Sequence, residues 1–212
     1  MAQPPDQNTQ RQPATIARPA LDPSFVECLN NLVHMFPSDM DVHGFRQLSA
    51  PSCTPDIIRT KFPNLELEEF EIKGLDNNNV TIALFRANST LRNALPVFYF
   101  MHPGGIDAVF ASVEYRLAPE YPALAALNDA FAGLNWLIEH AEELAIDTSR
   151  IILSGVSGGG AIAAGCAILY TKKRSNPPLL GVILSTPMLD GRDSTVSSRQ
   201  FAKQTLWSGD FN

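Results

Sequence analysis

Two stretches in the first half of the chain alternate apolar and polar residues with a period of two. Phe70 and Ile72 occupy apolar positions of the first stretch, and Val80, Ile82 and Leu84 those of the second. Residues with this period place their apolar side chains on one face of a β-strand. Because the turn-forming sequence DNNN separates the two stretches, the pattern predicts a β-hairpin.

From residue 97 onward the pattern changes to continuous apolar runs that alternate with segments of helical spacing. Four such runs predict buried strands: 97–101, 108–113, RIILSG at 150–155 and LLGVILSTPM at 179–188. Two segments predict helices: one has Leu124, Leu127, Phe131, Leu134 and Ile138 on one face, and the other is the alanine-rich segment 158–174. Strands that alternate with helices indicate a mostly parallel sheet with helices on both faces.

The charge and the cysteine count of the chain disfavour several classes of binding partner and site. The chain has 212 residues and a formal net charge of −6, which disfavours nucleic acid or an anionic membrane surface as a partner. Its three cysteines, Cys28, Cys53 and Cys166, contain no close pair. The sequence therefore predicts neither a disulfide framework nor a zinc site.

Neither the N-terminal segment nor the longest uncharged run of the chain predicts a membrane protein. Residues 1–20 lack the apolar core of a signal peptide, and their Pro, Gln and Asn content predicts a disordered lead. The uncharged run 151–170 is long enough for a membrane span, but its five glycines favour a strand, a turn and a helix. We expect a cytoplasmic protein without a membrane span.

The sequence GVSGGGA at 155–161 matches the G-x-S-x-G pattern of a nucleophilic serine. An apolar strand precedes Ser157 and a small-residue helix follows it, so the serine falls on a sharp turn that exposes its hydroxyl. The helix also points free backbone N–H groups at the position of an oxyanion. The alternative is a glycine-rich turn around an inert serine. Phosphate or dinucleotide binding is disfavoured, because the P-loop ending and the G-x-G-x-x-G spacing are absent.

Three motifs stand in the order and context of a known family: MHPGGI at 101–106, EYRLAPEYP at 114–122 with LAALNDA after it, and GVSGGGA. They resemble the oxyanion loop, the Tyr-Arg-Leu-Ala-Pro-Glu stretch and the nucleophile elbow of the hormone-sensitive-lipase-like branch of the α/β-hydrolases. The resemblance covers residues 65–212. It implies hydrolysis of a small-molecule acyl ester through an acyl-serine, without a metal or another cofactor.

The resemblance assigns roles to four residues of the site. Ser157 is the expected nucleophile. The backbone N–H groups of Gly104, Gly105 and Gly158 are the expected donors to the oxyanion. Val156 and Gly158 stand where the family usually has Asp and Ala, which are mild departures from its pattern.

The link HPGGID at 102–107 is a larger departure. In the family a helix follows the oxyanion loop, and the next strand lies parallel to the one before. A parallel crossover usually needs about ten to twelve residues or more. We therefore expect either that the second strand is inverted or displaced, or that the chain lacks a segment. The missing segment is the favoured interpretation.

The catalytic acid and base are the second large departure. In this fold both follow the serine in chain order, whereas all four histidines precede Ser157: His34, His43, His102 and His140. Asp190 follows the last predicted strand, but the family acid comes one strand later. Because losing a triad member typically lowers the rate by several powers of ten, we expect a chain that is inactive or nearly so. The alternative is a non-catalytic small-molecule-binding protein on a hydrolase scaffold.

The predicted fold is thus an incomplete α/β-hydrolase fold, without the helix after the oxyanion loop and without the last strands. We expect a disordered lead at 1–20, a cap-like helical segment at 21–64 and a partial α/β-hydrolase domain at 65–212. Tyr115, Arg116 and Glu120 are expected to be structural and to fix the turn after the second buried strand. Missing strands are expected to leave a sheet edge and an apolar face uncovered.

Overall fold

The computed structural model describes residues 23, 42–49, 54–87, 94–101, 109–173, 176–192 and 194–201. The strands in this part of the chain are β1 Leu65–Lys73, β2 Asn79–Ala87, β3 Leu95–Met101, β4 Val109–Glu114, β5 Ile146–Val156 and β6 Gly181–Ser185. The helices are α1 Val42–Ser49, α2 Pro55–Lys61, α3 Ala123–Glu139, α4 Gly158–Lys173 and α5 Val196–Phe201. The predicted lead at 1–20 lies outside the described residues.

The chain divides into two compact units. Residues 52–189 form one unit, which holds the whole sheet with α2, α3 and α4. Residues 1–51 and 190–212 form the other, in which the described residues include α1 and α5. The candidate nucleophile lies in the first unit. The domain boundaries proposed from the sequence stay a prediction.

The six strands form one sheet in the order β1-β2-β4-β3-β5-β6. β1 and β2 pair antiparallel from Leu65 opposite Ala87 to Lys73 opposite Asn79, which confirms the hairpin. β2 also pairs antiparallel with β4, whereas β4, β3, β5 and β6 are parallel to their neighbours. Only β2 therefore runs against the others, so the prediction of a mostly parallel sheet is confirmed.

β4 lies parallel to β3, so the alternative of an inverted second strand is wrong. Val97 pairs with Val109 and Phe100 with Ser112. Between the end of β3 at Met101 and the start of β4 at Val109, the chain therefore has to run back by about four strand positions, or about 13 Å. Residues 102–108 lie outside the described residues, but seven residues reach roughly 24 Å when extended. A link of this length can therefore join parallel neighbours, because β3 and β4 overlap over only four residue pairs.

The core joins the sheet to α3 and α4. Tyr99 of β3 is fully buried, and its hydroxyl donates a hydrogen bond of 2.8 Å to the carbonyl oxygen of Ala130 in α3. Gly133 allows this close approach, since a Cβ there would collide with the Tyr99 hydroxyl oxygen and lie 2.7 Å from Ile82 Cδ1. The uncharged run 151–170 forms the end of β5 and most of α4, and no described helix is long and apolar enough to cross a membrane.

β6 departs from the burial that its sequence predicts. Its apolar side chains predicted a buried strand, yet Val182 is 40% exposed, Ile183 49% and Leu184 37%. Apolar residues at successive positions become buried only when both faces and both neighbours are covered. Within the described part of the chain, β6 is the last strand of the sheet. The expected uncovered edge therefore lies at β6.

Candidate active site

Ser157 is the single residue between β5 and α4, and the backbone turns sharply there. Its φ is 55°, a conformation that residues with a Cβ rarely adopt and that costs about 1–3 kcal/mol. The Ser157 N–H donates to the Ser185 carbonyl oxygen, and the Ser157 carbonyl oxygen accepts from the N–H groups of Gly160 and Met188, each at 3.0 Å. The turn is therefore held both by the start of α4 and by the segment after β6.

Two glycines let this turn close. A Cβ at Gly155 would collide with the carbonyl group of Gly159, and a Cβ at Gly160 would lie 2.8 Å from the Cβ of Pro187. A Cβ at Gly158 would meet no atom within 4 Å. Glycine is thus required at 155 and 160, whereas the glycine at 158, where the family has alanine, is not required by space.

The exposed backbone at Ser157 and Gly158 provides part of an oxyanion site. Both residues are exposed, and Gly158 begins α4. The first N–H groups of a helix have no partner within the helix, so the Gly158 N–H is available to a developing negative charge. Gly104 and Gly105 lie outside the described residues, and their role as oxyanion donors stays a prediction.

No side chain in the described part of the chain hydrogen bonds to the Ser157 hydroxyl. His140 ends α3 in a packed position: its ring stacks on Trp136 with the ring centroids 4.6 Å apart, and its Nδ1 lies 2.9 Å from the Trp136 carbonyl oxygen. His43 belongs to α1 in the other unit. His34 and His102 lie outside the described residues, and His140, the described histidine of the unit that holds Ser157, is engaged with Trp136.

Asp190, the carboxylate that follows β6, is held by a neighbour in sequence. Its Oδ1 accepts from Arg192 Nε and its Oδ2 from Arg192 Nη2, both at 2.7 Å. These hydrogen bonds lower the pKa of Asp190 below its ordinary value. The carboxylate is therefore engaged in a local ion pair, a different arrangement from the acid of a triad, which holds a histidine.

Asp129 on α3 holds the turn after β4 in place, and its side chain is fully buried. It accepts hydrogen bonds from the Arg116 N–H at 2.9 Å, Nε at 2.9 Å and Nη2 at 2.8 Å, and from Asn78 Nδ2 at 3.0 Å. Arg116 Nη2 also lies 2.6 Å from Asp76 Oδ2. Burial acts to raise the pKa of Asp129, but the hydrogen bonds from Arg116 and Asn78 outweigh it and leave the pKa below its ordinary value. The predicted role of Arg116 is thus confirmed.

Sequence reasoning missed the residues that hold two turns of the structure, the one after β4 and the one at Ser157. Asp129 had a detectable signal, since it is the single charged residue within the sequence LAALNDAFAGL, and a buried carboxylate needs a partner. Ser185 and Met188 had no such signal in the sequence, because they contact Ser157 through backbone atoms that every residue carries.

The described residues contain no group of three or more His, Cys, Asp or Glu side chains that could hold a metal ion. Cys166, the free cysteine among them, is buried, and burial raises the pKa of its thiol to about 12. Such a thiol is a poor metal ligand and a poor nucleophile, because both roles need the thiolate. The expectation of a site without metal stays a prediction for the chain as a whole.

Residues 104–211 match a family described as alpha/beta hydrolase fold. Carboxylesterase NlhH of Mycobacterium tuberculosis is 32% identical over 197 residues, which cover 82% of this chain and 59% of the relative. Esterase LipI of the same organism is 42% identical over 86 residues, or 41% of this chain and 27% of the relative. The chain therefore spans about three fifths of the length of the first of these relatives, and less of the second.

Solved structures give the same likeness at the level of the fold. A bacterial heroin esterase matches with a TM-score of 0.70 and 30% identity, covering 85% of this chain and 63% of that chain. A hyperthermophilic esterase from the archaeon Pyrobaculum calidifontis matches with a TM-score of 0.69 and 26% identity, covering 90% of this chain and 67% of that chain.

Proposed function

Because this chain belongs to the α/β-hydrolase fold family, in its hormone-sensitive-lipase-like branch, we propose that its site at Ser157 is built to hydrolyse carboxylic esters. The observation that carries the proposal is the turn at Ser157, with its φ of 55° between β5 and α4. This turn presents an exposed hydroxyl beside the first N–H groups of a helix, as a serine nucleophile requires.

The proposed reaction has two stages. Ser157 Oγ attacks the carbonyl carbon of the ester, the C–O bond to the alcohol breaks, and an acyl-serine remains. The negative charge that develops on the carbonyl oxygen is stabilised by the N–H of Gly158 and, as the family resemblance implies, by those of Gly104 and Gly105. Water then attacks the acyl-serine, which releases the acid and restores the hydroxyl.

We further propose that these 212 residues by themselves perform the reaction very slowly. The serine proton needs a base, and the sequence holds no histidine after Ser157, where this fold places it. Serine hydrolases without a working triad retain only about 10³–10⁴-fold acceleration over water, from the oxyanion site and substrate binding. A residual, slow acylation of Ser157 is therefore the expected activity.

The proposed substrate is a small-molecule acyl ester, because the relatives in question carry the names carboxylesterase and esterase. The net charge of −6 supports the prediction that nucleic acid is not a partner. The cytoplasm is the proposed compartment, in keeping with a free, buried Cys166.

Acylation mapping tests this proposal. The folded chain is incubated with p-nitrophenyl butyrate, and peptide masses locate the acyl group. We expect slow butyrylation of Ser157, its loss in Ser157→Ala, and its retention in Ser149→Ala, an exposed serine of the same strand. A butyryl group elsewhere, or equal hydrolysis by Ser157→Ala, would contradict the nucleophile. Saturable binding of the ester without acylation would favour the non-catalytic binding protein.

A further inference from the structure

The short segment at the end of β6, called here the 185–188 turn, holds the backbone of Ser157 from both sides. The Ser185 carbonyl oxygen accepts a hydrogen bond from the Ser157 N–H, and the Met188 N–H donates one to the Ser157 carbonyl oxygen, each at 3.0 Å. These two contacts fix both peptide groups that flank the Ser157 Cα. The direction in which the side chain of Ser157 leaves the backbone is fixed with them.

Thr186 gives the 185–188 turn its shape through a strained backbone. Its φ is 42°, which is an outlier for a β-branched residue. A residue before proline also favours extended backbone, and Thr186 precedes Pro187. Pro187 in turn packs on the first turn of α4, since a Cβ at Gly160 would lie 2.8 Å from the Pro187 Cβ. Strained backbone of this kind clusters at functional sites, where the surrounding structure maintains it.

The contact of Met188 with Ser157 also orients the Gly158 N–H. The peptide group between Ser157 and Gly158 is planar and trans, so its carbonyl oxygen and its N–H point in opposite directions. The carbonyl oxygen accepts from the N–H groups of both Gly160 and Met188, and the Gly158 N–H therefore points away from these two donors. Because linked hydrogen bonds polarise one another, the bond from Met188 also makes the Gly158 N–H a stronger donor.

We propose that Met188 is a positioning residue of the oxyanion site. Through its backbone N–H, it holds the Ser157–Gly158 peptide so that the Gly158 N–H faces the oxygen of a reacting ester. This role rests on the proposed function, in which Ser157 is the nucleophile. It belongs to the backbone of Met188 and not to its side chain, and it explains the strained Thr186, whose left-handed turn brings the Met188 N–H to Ser157.

The rate of Ser157 acylation by p-nitrophenyl butyrate in the full chain, followed by peptide mass, tests this role. Met188→Pro removes the backbone N–H, whereas the conservative variant Met188→Ala retains it. We expect Met188→Pro to acylate Ser157 at least about tenfold more slowly than the wild type, since loss of a whole oxyanion donor costs about 10²–10³-fold. Met188→Ala, which restores the N–H, should recover the rate.

A second ester separates positioning of the oxyanion donor from a general loss of structure. p-Nitrophenyl thionobutyrate carries sulfur in place of the carbonyl oxygen, and sulfur is a weak acceptor. Met188→Pro should therefore slow acylation by the oxygen ester by a larger factor than acylation by the thiono ester. Leu84→Ala, which truncates a fully buried residue of β2, is the control for stability and should keep the wild-type ratio of the two rates. Circular dichroism verifies that each variant is folded at the temperature of the assay.

Three results would overturn the role of Met188 and leave Ser157 as the nucleophile: a wild-type rate in Met188→Pro, equal slowing of the two esters, or a Met188→Ala variant as slow as Met188→Pro. A wild type that never acylates at Ser157 would overturn the proposed function together with this role. If Met188→Pro fails to fold, the α-hydroxy acid analogue of methionine at position 188 removes the N–H without the proline ring. The same slowing of the oxygen ester is then expected, and an unchanged rate would overturn the role.

Discussion

The two edges of the sheet, β1 and β6, are built from opposite kinds of sequence. In β1, Ile72 belongs to the core and Phe70 packs against it, while the four glutamates of the strand are exposed. Across the hairpin, Asn79 links the exposed side chains of Glu71 and Lys73 through hydrogen bonds of 2.8 and 2.6 Å. β6 has neither alternation nor charge, and its apolar side chains are exposed.

The difference shows which edge is suited to water. A strand whose exposed positions are charged is stable at the end of a sheet, because those side chains are solvated and oppose pairing with another chain. A strand that is apolar at successive positions has the sequence of an interior strand, which gains its stability from neighbours on both sides. β1 therefore has the composition of an edge strand that faces water, and β6 has the composition of an interior strand.

The largest difference in the free energy of unfolding is expected between two variants, each of which truncates one leucine at or beside an edge of the sheet. Leu84 of β2 is fully buried next to β1, whereas Leu184 of β6 is 37% exposed. Leu84→Ala should lower the free energy of unfolding by about 2–5 kcal/mol, since it leaves a cavity. Leu184→Ala should cost less than about 1 kcal/mol. Urea unfolding at a concentration where the chain is monomeric measures both, and equal losses would contradict the contrast.

The next largest effect on the free energy of unfolding is expected at Asp129, the buried carboxylate that contacts the turn between β1 and β2. Asp129→Asn removes the charge that Arg116 and Asn78 hold between α3 and the hairpin turn. We expect a loss of about 2–3 kcal/mol in the free energy of unfolding, because Arg116 is left with poorer partners in a half-buried position. Asp147→Asn changes a carboxylate that is 29% exposed, where Asp129 is fully buried, and that pairs with Arg150 and Ser149; it is the control and should change stability less. An equal loss would speak against a special role for Asp129.

Asp129 also determines whether the stability of the folded chain rises or falls with pH. The pKa of Asp129 is lower in the folded chain than its ordinary value, so its contribution is complete above about pH 3.9 and is lost as the pH falls through the folded pKa. Thermal unfolding between pH 7 and pH 2 should show this loss in the wild type and a smaller one in Asp129→Asn. Parallel curves for the two proteins would contradict the assignment.

The smallest effect on stability is expected at the charged edge. Glu68→Val with Glu69→Val removes the charge from the centre of β1, and exposed substitutions change the free energy of unfolding by about 0.5 kcal/mol or less. Its effect should be on assembly: the centre of β1 no longer opposes strand pairing, so larger species than those of the wild type should appear in sedimentation velocity. A double variant that assembles like the wild type would show that the glutamates do not protect β1.

Local patterns predicted what depends on neighbours in sequence. The hairpin followed from the alternation around DNNN, and the turn at Ser157 from an apolar strand, a serine between glycines and a small-residue helix. An uncovered edge was expected from the missing strands, but the local pattern of β6 predicted a buried strand, because exposure depends on which strands lie beside it. The same holds for the contact of Ser157 with Ser185 and Met188, whose backbone groups carry no residue-specific signal.

The parallel pairing of β3 and β4 excludes the inverted strand and agrees with the favoured interpretation, in which the chain keeps the strand directions of its family but lacks a segment. That interpretation rested on the usual length of a helical crossover, applied to the link after Met101. The pairing of Val97 with Val109 shows that the distance to be crossed depends on the overlap of the two strands, which no sequence pattern reports.

Covalent labelling with a fluorophosphonate probe tests most directly whether Ser157 has the geometry of a nucleophile but is not activated within these 212 residues. Intact mass would be followed over time for the wild type, for Ser157→Ala and for carboxylesterase NlhH, with circular dichroism to verify folding. We expect the wild type to label at Ser157 at least about 10³-fold more slowly than the relative, as for a serine without its base. Labelling of Ser157 at a rate comparable to the relative would mean that a base is supplied within the chain or by a second copy, and would contradict this conclusion.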